Sequence, residues 1–296
     1  MKISIITVTL NMANTIEQTL LSILSQEYKD LEYIVLDGGS TDGTVEIIKK
    51  YEHKLAFFRS KKDEGQYPSI QEGFNKATGE IVAYLNGDDI LMPNTLSTIA
   101  DIFSKFSDVK WITGMPGFLD EKGNYVCARK NLLSYSKNDI AAGLHRYGLL
   151  GTIQQESTFY KKELLDKVGG LDLSLKYAAD FKLWKDFAKY EELHYVDIPL
   201  AAFRRRPGEQ LSSVYWEEYK QECRAVSNNN FLYRSIEPIL ENSNILRALF
   251  KLFYLRMGSI ISYCRHKRDW VKVKILLSKS TVSLSELILE FFKIKN

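Results

Sequence analysis

Short apolar runs alternate with amphipathic stretches over the first third of the chain. The runs at 3–10, 33–36, 55–58 and 81–85 have the length of buried strands and are rich in β-branched and aromatic residues. Between them, apolar residues recur at the spacing of one helical face, and polar residues that favour helix starts precede them. The repeated strand–helix units predict an α/β fold in which helices flank a mostly parallel, Rossmann-like sheet.

The regular alternation ends near residue 113, where a hairpin is predicted with its turn at 120–124. The pattern in 152–204 predicts a short strand, two helices and a strand from His194 to Phe203, and we expect this second half to cap the sheet. From about residue 214 the pattern is helical. The sequence therefore predicts a domain over residues 1–212, with halves 1–110 and 111–212, and a helical C-terminal extension over 213–296.

Two carboxylates follow the apolar run at 81–85, in the turn Asn86, Gly87, Asp88 and Asp89. Open α/β sheets bind ligands at the carboxyl ends of their strands. Adjacent carboxylates repel each other, and a divalent cation such as Mg²⁺ or Mn²⁺ held between them and a diphosphate would balance their charge. A solvated acidic turn is the alternative, because Asn, Gly and Asp are ordinary turn residues.

A second unusual turn, at 37–44, follows the second predicted strand. The carboxylate of Asp37 could accept hydrogen bonds from a nucleobase imide or a ribose hydroxyl, and Gly38 and Gly39 permit close approach of a ligand to the backbone. Asp42 is predicted instead to cap the helix that begins near Thr44.

Several other kinds of chemistry are disfavoured. Residues 8–16 contain no glycine, so the dinucleotide-binding fingerprint is missing, and no phosphate-binding Gly-Lys-Ser or Gly-Lys-Thr loop occurs. The four histidines lack metal-ligand spacing, and the three cysteines are far apart. With no apolar run approaching eighteen residues and no signal-peptide pattern, we expect a cytoplasmic protein without a bilayer span.

The C-terminal segment 242–296 is basic, with eleven Lys and Arg residues against three acidic residues, although the net charge of the whole chain is only +3. Apolar residues at helical spacing in 245–261 predict a helix that could lie on the anionic inner face of the plasma membrane. Packing against the preceding domain, or against a second subunit of a homo-oligomer, is the other interpretation. Nucleic-acid binding is disfavoured, because the tail is strongly apolar and contains no recognised binding module.

Taken in order, these and further segments resemble the family 2 glycosyltransferases with the GT-A fold. The resemblance covers about residues 2–212 and is carried by the segments 5–11, 37–44, 63–67, 77–89, 91–93, 155–159, 168–172 and 179–184. It implies an inverting enzyme that moves a sugar from a nucleotide-diphosphate donor, most often a UDP-sugar, to a glycan or lipid-linked acceptor in bacterial surface polysaccharide synthesis. Residues 1–110 would then be the nucleotide-binding half, and residues 111–212 the acceptor and catalytic half.

The resemblance also implies roles for single residues. Asp88 would hold the metal, with Asp89 sharing it, and Asp180 would be the base that deprotonates the acceptor hydroxyl. The alternative for Asp180 is an ordinary acid in the first turn of a helix. The implied donor-nucleotide residues are Thr7, Thr9, Asp37, Asp63, Gly65, Asn86, Gly87 and Asp88.

The acceptor or sugar pocket is implied to include Gln155 and Glu156, with Trp184 stacking on a sugar, although the spacing of Trp184 also suits the core. Arg204 and Arg206 lie where similar enzymes often have an Arg followed by a His, and their guanidinium groups could grip a diphosphate. Two other functions stay open: a sugar-nucleotide-binding or scaffolding protein without turnover, and a nucleotidyltransferase.

Overall fold

The computed structural model describes residues 1–128, 136–145, 152–206, 208, 214–227, 258–264 and 269–275. Its N-terminal part follows the predicted alternation of strand and helix closely. The elements in this part are β1 Ile3–Thr9, α1 Ile16–Leu24, β2 Leu31–Asp37, α2 Thr44–Lys50, β3 Phe57–Ser60, α3 Gln66–Lys76 and β4 Ile81–Asn86.

The elements after β4 are shorter and less regular. They are β5 Ile90–Leu91, α4 Thr95–Lys105, β6 Trp111–Gly114, β7 Gly117–Leu119, β8 Tyr125–Ala128, α5 Lys137–Ala142, β9 Thr158–Lys161, α6 Lys162–Val168, α7 Ala179–Tyr190, β10 Leu193–Val196, β11 Ala201–Arg204, α8 Trp216–Val226, β12 Gly258–Cys264 and β13 Asp269–Ile275.

Among the described residues, nine strands form one sheet in the order β13-β12-β10-β6-β9-β4-β1-β2-β3. The pairs β1–β2, β1–β4, β2–β3, β6–β10 and β10–β12 are parallel, whereas β9 runs antiparallel to both β4 and β6. A smaller sheet has the order β5-β11-β7-β8. The predicted α/β class with a mostly parallel sheet is confirmed, and so is the hairpin, in which β7 pairs antiparallel with β8.

The core lies on both faces of the large sheet, which explains why its central strands are apolar throughout. Every residue of β1 is buried. Its side chains alternate, so that Ile6 and Val8 join one hydrophobic cluster while Ile3 and Ile5 join the other. Each such fully buried aliphatic side chain contributes about 1.5–3 kcal/mol to stability. The two clusters hold the strand ends at fixed positions.

Three expectations about the second half and the tail were wrong. The strand expected from His194 to Phe203 is two strands, β10 and β11, which belong to different sheets. Strands β6, β9 and β10 extend the large sheet instead of capping it. In the tail, α8 is helical as predicted, but 258–264 and 269–275 are strands. Apolar periodicity alone could not separate a buried strand from a helix there.

Part of the predicted membrane-binding helix therefore belongs to the sheet. Ile261 in β12 is fully buried in the second core cluster, and Trp270 packs against that cluster. This supports packing of residues 258–264 and 269–275 on the preceding domain, whereas 245–257 and 265–268 lie outside the described residues. Within the part of the chain that the structure describes, none of the helices is both long and apolar enough to cross a bilayer. The domain division at residue 212 stays a prediction.

Candidate active site

The carboxyl ends of β1, β2 and β4 form one edge of the sheet. In the parallel register, Thr9 pairs with Asp37 and Val8 pairs with Asn86. The backbone continues these contacts beyond the strands, because the N–H of Gly38 donates to the Thr9 carbonyl at 2.9 Å. Parallel pairing thus brings together residues that are distant in sequence, as the ligand-binding edge of an open α/β sheet requires.

The carboxylate of Asp37 organises the turn that follows it. Oδ2 accepts hydrogen bonds from the backbone N–H groups of Gly39 and Ser40, both at 2.9 Å, and from the Ser60 hydroxyl at 2.6 Å. The Ser40 hydroxyl donates to Oδ1. Asp37 is fully buried. In this structure its oxygens therefore hold the loop in shape, and its contact with a nucleobase stays a prediction.

The two threonines of β1 differ in position. The Thr7 hydroxyl is buried and lies 2.9 Å from the Tyr33 hydroxyl inside the sheet. The Thr9 hydroxyl is also buried but has no hydrogen-bond partner. The structure therefore brings the Thr9 hydroxyl to the site edge, whereas the Thr7 hydroxyl lies against Tyr33 in the core. A backbone contact from Thr7 to a nucleoside stays a prediction.

The loop after β3 is held by a charged network that sequence reasoning missed. Asp63 accepts from the Gly65 N–H at 3.0 Å and from the hydroxyl of Ser69. The Arg59 guanidinium donates to the Asp37 carbonyl at 2.8 Å and to Ser69 at 2.8 Å. Arg59 thus joins the Asp37 turn to the Asp63 loop. The sequence signal was an Arg directly after the apolar run at 55–58.

The turn after β4 is packed tightly against β1. A Cβ on Gly87 would lie 2.7 Å from the Thr9 hydroxyl, closer than side-chain atoms approach, so the position requires glycine. The side chain of Asn86 accepts from the Gln66 amide at 2.7 Å. It also donates to Gln155 Oε1 at 3.4 Å. Asn86 therefore connects α3 to the segment that precedes β9.

Asp88 accepts hydrogen bonds from two arginines of the 204–206 segment. Arg206 donates to its Oδ2 from Nε at 3.1 Å and from Nη2 at 2.7 Å. Arg204 donates from Nε to the Asp88 carbonyl at 2.8 Å. The side chain of Asp88 is only 7% exposed. Such a charge-assisted pair is stronger than an exposed ion pair and fixes the carboxylate at the rim of the site.

Asp89 has a different environment from its neighbour. It is fully buried, its Oδ1 accepts from the Arg204 N–H at 2.9 Å, and its carbonyl accepts from the Thr19 hydroxyl at 2.7 Å. Burial and the charges of Asp88 and Glu156 raise the pKa of Asp89 well above its usual value. These contacts join β11 and α1 to the turn, which makes Asp89 a scaffolding side chain and argues against the predicted share in metal binding.

The turn before β9 adds a further carboxyl group, that of Glu156. The Gln155 amide donates to the Tyr84 carbonyl at 2.5 Å, which anchors this turn to β4. Glu156 is buried, and its Oε1 has no hydrogen-bond partner. Burial, with the charges of Asp88 and Asp180 nearby, raises the pKa of Glu156 to about 8. The negative charges of Asp88 and Asp180 thus add to the effect of burial and oppose ionisation of Glu156.

Asp180 lies in the first turn of α7. Its Oδ1 accepts from the Phe181 N–H at 2.8 Å and lies 3.2 Å from the Tyr67 hydroxyl. Burial raises the pKa of Asp180 above its usual value. A raised pKa makes a carboxylate a better proton acceptor near neutral pH. The role of base therefore fits this environment.

Trp184 lies one turn further along α7, inside the core. It is 1% exposed and stacks on Trp111 with ring centroids 5.9 Å apart. The prediction that Trp184 stacks on a sugar in the pocket was wrong, because the helix presents this face to the sheet.

Asp88 could hold a divalent metal ion only if a bound ligand, such as a diphosphate, supplied further oxygen ligands. Arg206 donates to Oδ2 of Asp88, and within the described part of the chain no side chain or backbone group donates to Oδ1. Within that same part of the chain, no three His, Cys, Asp or Glu side chains converge as on a metal ion. One carboxylate plus diphosphate oxygens is, however, a usual way to hold Mg²⁺.

Comparison with known proteins agrees with this architecture. The model of glycosyl transferase family 2 matches residues 4–169. An uncharacterized glycosyltransferase of Rickettsia typhi is 30% identical over 196 residues, which are 65% of this chain and 60% of that protein. Poly-beta-1,6-N-acetyl-D-glucosamine synthase of Staphylococcus epidermidis is 25% identical over 260 residues, or 84% of this chain and 60% of that protein. The chain thus spans about three fifths of the length of these relatives.

Solved structures share the fold at low sequence identity. S. aureus TarS 1–349 in complex with UDP-GlcNAc has a TM-score of 0.60 and 22% identity, covering 84% of this chain and 71% of that one. The mannosyltransferase PcManGT of Pyrobaculum calidifontis, in complex with GDP-Man and Mn²⁺, has a TM-score of 0.54 and 16% identity, covering 99% and 79%. With the family model matched over more than half of its residues, this chain belongs to glycosyl transferase family 2.

Proposed function

We propose that this chain is an inverting glycosyltransferase that takes a sugar from a nucleotide-diphosphate donor, most simply a UDP-sugar. The observation that carries the proposal is that two adjacent residues of α3 contact both parts of the site. Gln66 donates to Asn86, two residues before the Asp88 that pairs with Arg206, and the Tyr67 hydroxyl donates to Asp180 at the start of α7. An inverting transfer needs groups that stabilise the departing diphosphate and a carboxylate that accepts the proton of the acceptor hydroxyl.

In the proposed reaction, Asp180 takes the proton of the acceptor hydroxyl as that oxygen attacks the anomeric carbon. The bond from this carbon to the diphosphate oxygen breaks, and its electron pair leaves with the nucleotide diphosphate. Arg206 is placed to donate to the diphosphate as its charge grows. A Mg²⁺ or Mn²⁺ ion held by Asp88 would neutralise further charge on the leaving group.

The nucleoside would bind across the edge formed by β1, β2 and β4. The buried, unpartnered Thr9 hydroxyl and the Asp37 turn support this position. Asp63 and Gly65 complete the rim, and a Cβ on Gly65 would meet no atom within 4 Å, so the backbone is open to a ligand there. The donor sugar would then lie towards Gln155 and Glu156.

The acceptor is proposed to be a glycan or a lipid-linked saccharide in surface polysaccharide synthesis. The name of the S. epidermidis relative and the basic C-terminal segment support this class. If the acceptor is lipid-linked, the protein should sediment with vesicles that contain anionic phospholipid and stay in solution with neutral ones. Equal behaviour with both vesicles would count against contact with the inner membrane surface.

The testing experiment is calorimetric titration of UDP, UDP-GlcNAc, GDP and GDP-mannose, with and without Mn²⁺. We expect metal-dependent binding of the UDP compounds that Asp88→Ala weakens and Asp180→Asn spares. Asp166→Asn, an exchange of an exposed acid on α6, is the matched control. Absence of binding to every compound would leave a non-catalytic scaffold as the better description.

A further inference from the structure

Helix α8 supplies a cap for the helix that bears Asp180. The side chain of Glu222 accepts hydrogen bonds from the backbone N–H groups of Lys176, Tyr177 and Ala178, each at 2.9 Å. The first N–H groups of a helix have no partner inside the helix, and a negative charge is favoured there. The residue at the cap position, Ala178, has no side chain that could accept them. Glu222, on another helix, therefore accepts from the cap residue Ala178 and from the two residues that lead into α7, Lys176 and Tyr177.

The remaining contacts fix α8 against the same end of α7. Ala178, Phe181 and Cys223 form a small buried cluster. The rings of Tyr177 and Tyr215 stack with their centroids 4.8 Å apart. The cap is therefore one part of a packed joint between two helices, and α8 lies beyond the residues that the family model matches.

We propose that Glu222 is a positioning residue for the transfer reaction, which holds the start of α7 so that Asp180 faces the acceptor. Asp180 follows Ala178 by two positions, and Ala178 is held by its hydrogen bond to Glu222 and by the buried cluster with Phe181 and Cys223. Loss of the cap would free residues 176–178 and thus the carboxylate. The proposal rests on the role of Asp180 as base proposed above.

Glu222 also contributes to the charge around Asp180. The titratable groups that act on or are acted on by Asp180 come from α3, β4, the turn before β9 and α8, and are Tyr67, Tyr84, Glu156, Tyr219 and Glu222. Burial is the main cause that raises the pKa of Asp180; hydrogen bonds from Phe181 and Tyr67 lower it, and the negative charge of Glu222 adds a smaller increase. Its removal should lower that pKa, an effect that a purely structural role would not produce.

The experiment compares Glu222→Gln with Glu217→Gln in the full chain. Glu217→Gln makes the same charge change on α8, but the Glu217 side chain is exposed and pairs with Lys220 at 2.7 Å. The first measurement is amide hydrogen exchange of 176–178. The second is the pH profile of nucleotide release from UDP-GlcNAc or GDP-mannose, whichever the wild type hydrolyses faster.

We expect Glu222→Gln to speed exchange of these amides about tenfold, to lower kcat about tenfold with KM for the donor unchanged, and to shift the acid limb of the profile to lower pH. Glu217→Gln should change none of the three. Unchanged exchange would overturn the cap, and faster exchange with an unshifted limb would overturn the positioning role. If Asp180→Asn keeps full turnover, the proposed base is wrong, while the exchange result still decides whether Glu222 caps α7.

Discussion

Arg206 grips Oδ2 of Asp88 with two hydrogen bonds, of 3.1 Å from Nε and 2.7 Å from Nη2. A guanidinium therefore touches the same carboxylate that is proposed to hold the metal. The guanidinium of Arg206 and a metal ion held by Asp88 could both neutralise a diphosphate. In the proposed site this task would be shared between a side chain and a bound ion.

The first prediction concerns Arg206→Ala. Because the fixed positive charge on the diphosphate is lost, we expect kcat to fall at least tenfold. The Mn²⁺ concentration for half-maximal rate should fall, since Oδ2 of Asp88 is released from Arg206 and becomes available to the metal ion. Arg206→Lys should recover part of the rate, since a point charge replaces the two-pronged donor. Nucleotide release measured over a series of Mn²⁺ concentrations checks this. Arg205→Ala is the control, because Arg205 lies over the Phe118 ring and should leave the curve unchanged.

The second prediction concerns Asp180→Asn. An amide cannot take a proton, so we expect kcat to fall by about 10²–10⁴-fold with little change in donor affinity. In the wild type, the raised pKa of Asp180 places the acid limb of the rate profile above the range of an ordinary aspartate. Steady-state rates across pH measure both effects. A rate for Asp180→Asn within threefold of the wild type would exclude the proposed base.

The third prediction uses Glu156, whose pKa burial raises to about 8 from 4.5. The folded protein then holds a proton that the unfolded chain releases above pH 4.5, so stability falls as pH rises from 4.5 towards 8. We expect Glu156→Gln to remove this penalty. The free energy of unfolding of the variant, minus that of the wild type, should increase by on the order of 3 kcal/mol from pH 4.5 to pH 8. Urea unfolding at the two pH values tests it, and parallel curves would refute it.

The fourth prediction concerns the amino-terminal ends of β1 and β2, opposite the candidate active site. Glu32 is buried and accepts from Lys2, the Ser4 hydroxyl and the Thr78 N–H. Burial alone would raise its pKa, but these donors lower it to about 2. The stabilisation is complete above pH 4.5 and is lost as pH falls towards 2.

Glu32→Gln should therefore cost about 2–3 kcal/mol of unfolding free energy at pH 7 and progressively less below pH 4.5. Denaturant unfolding from pH 7 to pH 3 measures this. The exposed Glu80→Gln is the matched exchange and should change stability by less than about 0.5 kcal/mol. A constant difference across pH would contradict the assignment.

Local pattern was sufficient for the strands and turns that bear Asp37 and Asp88, because each apolar run and its following turn are contiguous in sequence. It failed where pairing is non-local. Nothing near Thr158 indicates that β9 reverses direction between β4 and β6. The contact of Arg206 with Asp88 and the cap by Glu222 likewise join segments far apart in the chain, and no periodicity encodes which distant group a side chain will meet.

The position of β12 beside β10 bears on how the protein is made on the ribosome. The parallel group β3-β2-β1-β4 can pair as soon as β4 has emerged, whereas β10 acquires its outer neighbour only after the C-terminal strands are synthesised. Glu222 also emerges late, after α7. A nascent chain would therefore form the edge with Thr9, Asp37 and Asp88 before Glu222 is available to hold the start of the helix that bears Asp180.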